Sequence, residues 1–341
     1  MISYRMMIHP THQKIYLERS PELALLELQA VSNRLETALL EPAADKLAGC
    51  PALAFSCETG LSREELKTLG RLSCFYALFR REGELYAPVE APEFRQFPDS
   101  YSELLKYNGK TNERFTRLLI NLAWAACALP LPQTLLDPLC GKGTTLFEAA
   151  IAGFNGAGIE QNSAWCAEGQ SYLTRFLEKG RYKHKTSRQR PGKAGGGRLG
   201  EVFCVQTACS KERFEEHPQM LRLAHGDTKD AGALYGKSCF DLLVADLPYG
   251  VQHGSRAGGN LSRSPLELLR GALPAWLETV RRGGGLALAF NEYTIRRGEL
   301  CQLLEEQGCR VLDGPFEGYR HRVDQAINRD LVVAVKEKKR A

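Results

Sequence analysis

The chain carries a series of short apolar runs, most of them closed or opened by a polar residue: TLLDP, GAGIE, LRLAHGD, FDLLVAD, GLALAF and DLVVAV. Runs of this length suit buried strands and are too short for helices. Between them lie longer stretches with apolar residues at helical spacing, over Phe115–Ala128, Thr144–Ala152, Ala164–Glu178, Pro265–Arg281 and Arg296–Gln307. Strands that are apolar almost throughout and alternate with helices predict a parallel sheet covered on both faces, an α/β fold of the Rossmann-like type. No apolar run approaches the ~20 residues a membrane span requires. The start, MISYRMMIHP, lacks the apolar core and cleavage site of a signal peptide, so a cytoplasmic protein without a membrane partner is expected.

Before about residue 95 the pattern differs. Strands are expected at Tyr4–Ile8, Glu36–Leu40, Ala52–Ser56 and Cys74–Arg80, with helices at Glu22–Leu35 and Arg63–Leu69. Ser20-Pro21-Glu22 reads as the start of the first helix, and Ser62 with Glu65 as a capping box for the second. The order fits a ferredoxin-like βαββαβ unit. The three prolines of Ala87–Ser100 then read as a linker. The expected organisation is a small α+β domain over 1–95, a linker and helix over 96–130, and an α/β domain over 131–341.

The eleven cysteines form no CxxC pair, and several sit in apolar runs, where Cys acts as a small core residue. No metal site is expected, and reduced thiols suit the cytosol. The net charge of +5 is unevenly spread. Arg181, Lys183, Lys185, Arg188, Arg190 and Lys193 lie in a stretch without an acid, an inserted hairpin or loop near 181–203. Such a block is either a solvated surface or a contact for phosphates, since clustered Lys and Arg gain affinity for polyanions by releasing counterions.

In parallel sheets, ligands sit at the carboxyl ends of the strands. There, LLDPLCGKGTTLFEAA places Asp137, then Gly141 and Gly143, then a helix. A phosphate-binding P-loop fails because Gly143 follows Lys142. A dinucleotide fingerprint counted from Gly141 meets Leu146 where a small residue is needed. S-adenosylmethionine remains: the glycines admit the amino-acid part, Glu160 ends the next strand where ribose hydroxyls would bond, and Asp227 could hold the adenine amino group.

DPLCGKGTTLFEAA resembles the first motif of class I methyltransferases that act on amines. DLPYG, from Asp246 to Gly250, resembles their [DNS]-P-P-[YFW] motif, with Leu247 replacing the first proline. That variant is similar to the THUMP-associated guanosine N2-methyltransferases of tRNA. So are YNGKTNERFTRLLINLAWAAC and the late segment YRHRVDQAINRDLVVAVK, and the likeness spans about 101–341. It implies a cofactor set of Asp137, Gly141, Gly143, Thr144, Glu160, Asp227 and Asp246. It also implies that Asp246 and the Pro248 carbonyl orient the amine while Tyr249 stacks on the base. The region before the linker is short for both a ferredoxin-like and a THUMP domain, so THUMP is expected to be reduced or absent.

The function expected is methyl transfer from S-adenosylmethionine to guanine N2 in structured RNA, with tRNA as substrate. Ribosomal RNA, a DNA adenine or cytosine amine, and a non-catalytic RNA-binding factor with the same fold are the alternatives. Thr111, Asn112 and Phe115 could line the cofactor pocket or serve as helix cap and core, whereas His253, His321 and Arg322 read as basic surface.

Overall fold

The computed structural model describes residues 1–10, 14–106, 110–192, 199–249 and 265–337, with the side chains of 14–18 set aside. Lys193 and His253 lie outside the described residues.

The chain opens with β1 (Ile2–Ile8), α1 (Lys14–Ser32), β2 (Leu40–Leu47), β3 (Cys50–Cys57), α2 (Arg63–Gly70), β4 (Phe75–Glu82) and β5 (Leu85–Val89). They form an antiparallel sheet in the order β2-β3-β1-β4-β5. The first four strands have the βαββαβ connectivity read from the sequence. Alternate residues of β1 and β3, among them Met6, Ile8, Leu53 and Phe55, are buried with Leu23, Leu28 and Val31 of α1. Ser62 Oγ accepts from the Glu65 amide and the Glu65 carboxylate accepts from the Ser62 amide, the capping box expected for α2.

Three local expectations need correction. The first helix starts at Lys14, so Ser20-Pro21-Glu22 lies inside it. Proline has a helical φ and deletes one backbone bond, a loss offset here by the buried face of α1. Glu36–Leu40 is not a strand, because the Glu65 carboxylate takes the Thr37 amide at 2.7 Å and the ladder begins only at Leu40. The supposed linker begins with β5, whose Pro88 is tolerated because the strand is an edge.

A short α3 (Ser100–Glu103) leads to α4 (Glu113–Ala126), β6 (Thr134–Asp137), α5 (Thr144–Ile151), β7 (Asn155–Glu160), α6 (Ser163–Lys179), β8 (His184–Gln189), β9 (Glu201–Thr207), α7 (Lys211–Glu216) and β10 (Gln219–His225). Then come α8 (Ala231–Tyr235), β11 (Phe240–Asp246), α9 (Pro265–Thr279), β12 (Val280–Asn291), α10 (Arg297–Glu306), β13 (Cys309–Val311), β14 (His321–Arg322) and β15 (Asn328–Lys336). The large sheet runs β13-β15-β12-β11-β6-β7-β10-β9-β8, with β14 against β15. Its centre, β12-β11-β6-β7-β10, is parallel; the outer strands are antiparallel. From β6 the chain winds outward through β7 to β10, then returns to β11 and winds the other way. The switch point therefore lies between β6 and β11, and a crevice opens there at the carboxyl ends.

The two sheets share one core. Leu28 and Val31 of α1 join a single buried cluster with Leu118, Leu119 and Leu122 of α4 and Val333 of β15. At its centre the Glu27 carboxylate is wholly buried and accepts from Asn121 Nδ2 at 2.8 Å and Ser73 Oγ at 2.6 Å. Burial raises its pKa. Arg34 reaches from the end of α1 region to the Trp124 carbonyl at 2.5 Å, and Arg71 lies 4.9 Å from the Trp124 ring centroid.

Candidate functional site

Register places three carboxylates around the crevice. Leu243 of β11 pairs with Leu136 of β6, and Asp137 pairs with Gly158 of β7. Asp246 and Glu160 thus stand two residues beyond the level of Asp137 on the flanking strands, about 7 Å higher. Asp137 is buried, and its Oδ1 accepts from the Leu139 amide at 2.9 Å. Desolvation pushes its pKa up to about 7, with further increases from the charges of Asp246 and Glu160. Burial also raises the pKa of Glu160, although its Oε1 takes the Asn162 amide at 2.6 Å.

The turn after β6 lies close against the sheet because the opposing strand leaves it space. A Cβ on Gly158 would stand 2.5 Å from Cys140 Sγ and 2.7 Å from Leu146 Cδ1. Gly141 has φ +55° and Gly143 φ +98°, the left-handed region favouring glycine. A Cβ on Gly141 would meet nothing within 4 Å, so this backbone borders open space. A buried carboxylate with a raised pKa, two further acids and an uncovered glycine backbone fit a cationic ligand carrying an amino-acid group. Thr144 begins α5 beside this turn. Behind it, Glu148 is buried and accepts from Arg117 Nε at 2.9 Å and Ser102 Oγ at 2.5 Å.

Asp227 lies two residues past the end of β10, the strand beside Glu160's, and is exposed, accepting the Lys229 amide at 2.9 Å. It caps a single 3₁₀ turn, leaving carboxylate capacity for a ligand.

At the other lip, Asp246 Oδ2 accepts from Thr111 Oγ1 at 2.6 Å, and Asp246 Oδ1 accepts from the Tyr249 hydroxyl. Arg329 Nε donates to Tyr249 Oη at 2.7 Å, and Arg329 Nη2 stands 3.8 Å from Asp246 Oδ2. Burial, then the neighbouring Asp246 charge, pushes the Tyr249 pKa up. Pro248 is exposed and Leu247 buried. The Leu247 amide donates to the Ala289 carbonyl of β12 at 2.8 Å, extending the ladder one residue past Asp246. A proline at 247 has no N–H to give. Leu247→Pro is therefore expected to cost roughly 1–3 kcal/mol through an unsatisfied Ala289 carbonyl. Urea unfolding measures it, and an unchanged midpoint would discard this account of the leucine.

Of the residues with two readings, Asn112 caps α4 and Phe115 is fully buried, while Thr111 touches Asp246. His321 is not basic surface: it is buried on β14, and desolvation lowers its pKa to about 4, leaving it neutral. Arg322 is exposed. Sequence reasoning missed Arg329, whose only signal was an arginine opening a strand of apolar residues.

The basic stretch forms edge strand β8, hydrogen-bonded to β9. Arg188 and Arg190 both pair with Glu201, the latter at 3.2 Å, and Lys183 pairs with Glu215 at 3.1 Å. Gln189 pairs with Val202, and Glu201 with His225, which itself stands beside Glu160. Arg188 and Arg190 therefore lie at the ligand end of the sheet, about four strand spacings, or roughly 19 Å, from β6. Arg181 has φ +55° in the turn after α6, and Lys185 lies 5.9 Å from the Phe214 ring centroid. Among the described residues, no group of His, Cys, Asp and Glu is placed to hold a metal ion. No described helix is long and apolar enough to cross a membrane.

A family model described as UPF0020, RMKL-like, methyltransferase domain, matches residues 109–297. No curated protein matches the chain. Similar solved structures include an rRNA methyltransferase from Streptomyces viridochromogenes, at 16% identity and TM-score 0.40, covering 70% of this chain and 93% of that one. Another is magnesium protoporphyrin IX methyltransferase from Synechocystis PCC 6803 with bound SAH, at 13% identity and TM-score 0.39, covering 68% and 90%. An rRNA methylase from Streptococcus thermophilus has 10% identity and TM-score 0.34, covering 61% and 88%.

Proposed function

From the premise that this chain belongs to the RMKL-like methyltransferase family, we propose that it methylates the exocyclic N2 amine of guanine in structured RNA, with tRNA as substrate. The observation that carries this reading is the Asp-Leu-Pro-Tyr turn standing across the switch point from the Asp137 glycine turn. S-adenosylmethionine is the cofactor, and when bound it supplies an electrophilic methyl group on a sulfonium. Asp137, Gly141, Gly143 and Thr144 would hold its amino-acid part, Glu160 its ribose and Asp227 its adenine.

The amine of guanine is a weak nucleophile because its lone pair is spread over the ring. Asp246 accepts one N–H and the Pro248 carbonyl the other, which draws the nitrogen toward a tetrahedral shape and aims its lone pair. Asp246 also balances the positive charge that grows on nitrogen, and it can receive the proton that the nitrogen then sheds. Tyr249, its hydroxyl held between Asp246 and Arg329, offers its ring for stacking on the base. Arg181, Lys183, Lys185, Arg188, Arg190 and Lys193 would meet phosphates, with the small N-terminal domain assisting. Existing pairs with Glu201 and Glu215 then exchange for phosphate.

The test is transfer of labelled methyl into tRNA, ribosomal RNA and DNA from cells lacking this protein, followed by mass spectrometry of the nucleosides. N2-methylguanosine in tRNA is the expected result; label in another nucleic acid moves the substrate, and label on another atom rejects the N2 assignment.

One pH effect follows from Asp137, whose carboxyl is protonated below about pH 7 in the ligand-free protein and ionised above it. The ammonium of the cofactor favours the ionised form. Cofactor affinity is therefore expected to climb as pH rises toward 7 and to level off above it. Calorimetric titration with S-adenosylhomocysteine checks this, and Asp137→Asn should flatten the profile. A rise that persists in the Asn variant assigns the effect elsewhere.

A further inference from the structure

Arg329 sits outside the span 109–297 matched by the family and within the last strand of the sheet. Side chains alternate along β15: Asp330 faces Arg297, which donates to it at 3.1 Å, whereas Arg329 faces α4 and the Asp246 turn. Its guanidinium carbon lies 4.2 Å from the Phe115 ring centroid and 5.3 Å from that of Tyr249. Phe115 is fully buried, and neutral His321 stands against its ring at 5.5 Å between centroids. Arg329 itself is 6% exposed. Burying a guanidinium costs desolvation that apolar packing alone would avoid.

The bonds from Arg329 have a direction. Because Tyr249 Oη accepts from Arg329 Nε, the hydroxyl's own proton is free to point at Asp246 Oδ1. Thr111 holds the other carboxylate oxygen. The carboxylate is thereby fixed by donors on both oxygens, with acceptor capacity remaining for an incoming N–H.

We propose that Arg329 is a positioning residue for methyl transfer: resting on Phe115 and donating to Tyr249, it fixes the tyrosine ring and the Asp246 carboxylate in the geometry that receives the target amine. This rests on the roles given above to Asp246 and Tyr249. Arg329 acts through those two residues and need not touch the base. It also holds the tyrosine at the mouth of the site before the base arrives, so stacking starts from one defined ring position.

The test compares wild type, D246A, R329M, R329K, Y249F and the double variant R329M/Y249F with total tRNA from cells lacking the protein. R329M is expected to lower kcat about 10²-fold, as small misplacements of reacting groups do. Its affinity for S-adenosylhomocysteine should not change, and KM for tRNA should move far less than kcat. The double variant should be no slower than R329M, since both changes cut the same chain of bonds. Wild-type kcat in R329M, or losses that multiply in the double variant, would overturn the proposal. If thermal melting finds R329M unfolded, R329K decides: it keeps the cation but not the planar fork, so reduced kcat with unchanged KM is expected and full kcat overturns. Should D246A itself turn over normally, the proposed roles of the Asp-Leu-Pro-Tyr turn fail first; a strongly slowed D246A beside an unimpaired R329M rejects only Arg329.

Discussion

Replacing Asp246 by alanine is expected to slow methyl transfer roughly 10²–10³-fold, the scale seen when one preorganised group facing a developing charge is removed. The carboxylate is held from both sides, by Thr111 on one oxygen and Tyr249 on the other. It stands about 7 Å above Asp137 along the strands, so above pH 7, where Asp137 is ionised with or without that neighbouring charge, the change leaves the buried end of the proposed cofactor site as it was. Affinity for S-adenosylhomocysteine should therefore stay close to that of wild type. Asp246→Asn keeps an acceptor but loses the charge, and its rate should fall between the two. Label transfer at saturating cofactor gives the rates. Wild-type turnover in the alanine variant would remove this carboxylate from the chemistry.

The second large effect is on stability. Glu148 is 1% exposed, and its partner Arg117 also bonds Asp99 at 2.6 Å. Glu148→Ala leaves a buried guanidinium with half its counter-charge, and breaking such a pair costs about 3–5 kcal/mol. The loss should spread to the glycine turn, because Glu148 lies on the helix that the turn begins. Removing both charges, as in R117M/E148L, should recover much of it, since the penalty comes from the stranded partner. Chemical denaturation of the three proteins measures the difference. A loss under about 1 kcal/mol in the single variant would mean that water or Asp99 already compensates Arg117.

What could be read in the sequence, and what could not, divides along physical lines. The parallel strands announced themselves because burial on both faces demands apolar residues at every position, as in Leu242–Ala245. Their terminal acids were legible because a carboxylate at the end of such a run needs a reason. Edge strands were not. His184–Gln189 is nearly all polar, and β5 contains a proline, so neither carries the alternation that marks a half-buried strand. The start of α1 is not legible locally, because Ser-Pro-Glu is a good helix opening and nothing near it says that a helix is already under way. Arg329 was hidden by its type: an arginine in a strand reads as surface until the fold sets a phenylalanine from α4 beneath it. Leu247 stands out in the sequence as a departure from the motif, but its bond to Ala289 exists only once β12 lies beside it.

Glu27 binds Ser73 and Asn121 in one buried knot, and Arg34 ties α1 to the end of α4. The small sheet is thus cemented to α4, and Thr111, two residues ahead of that helix, bonds the Asp246 carboxylate. A body joined in this way works as a caliper with its jaws set at one opening. Under the function proposed above, a nucleic acid gripped at a distance must bring its target nucleotide to that fixed gauge, and the bending needed to reach it has to come from the nucleic acid.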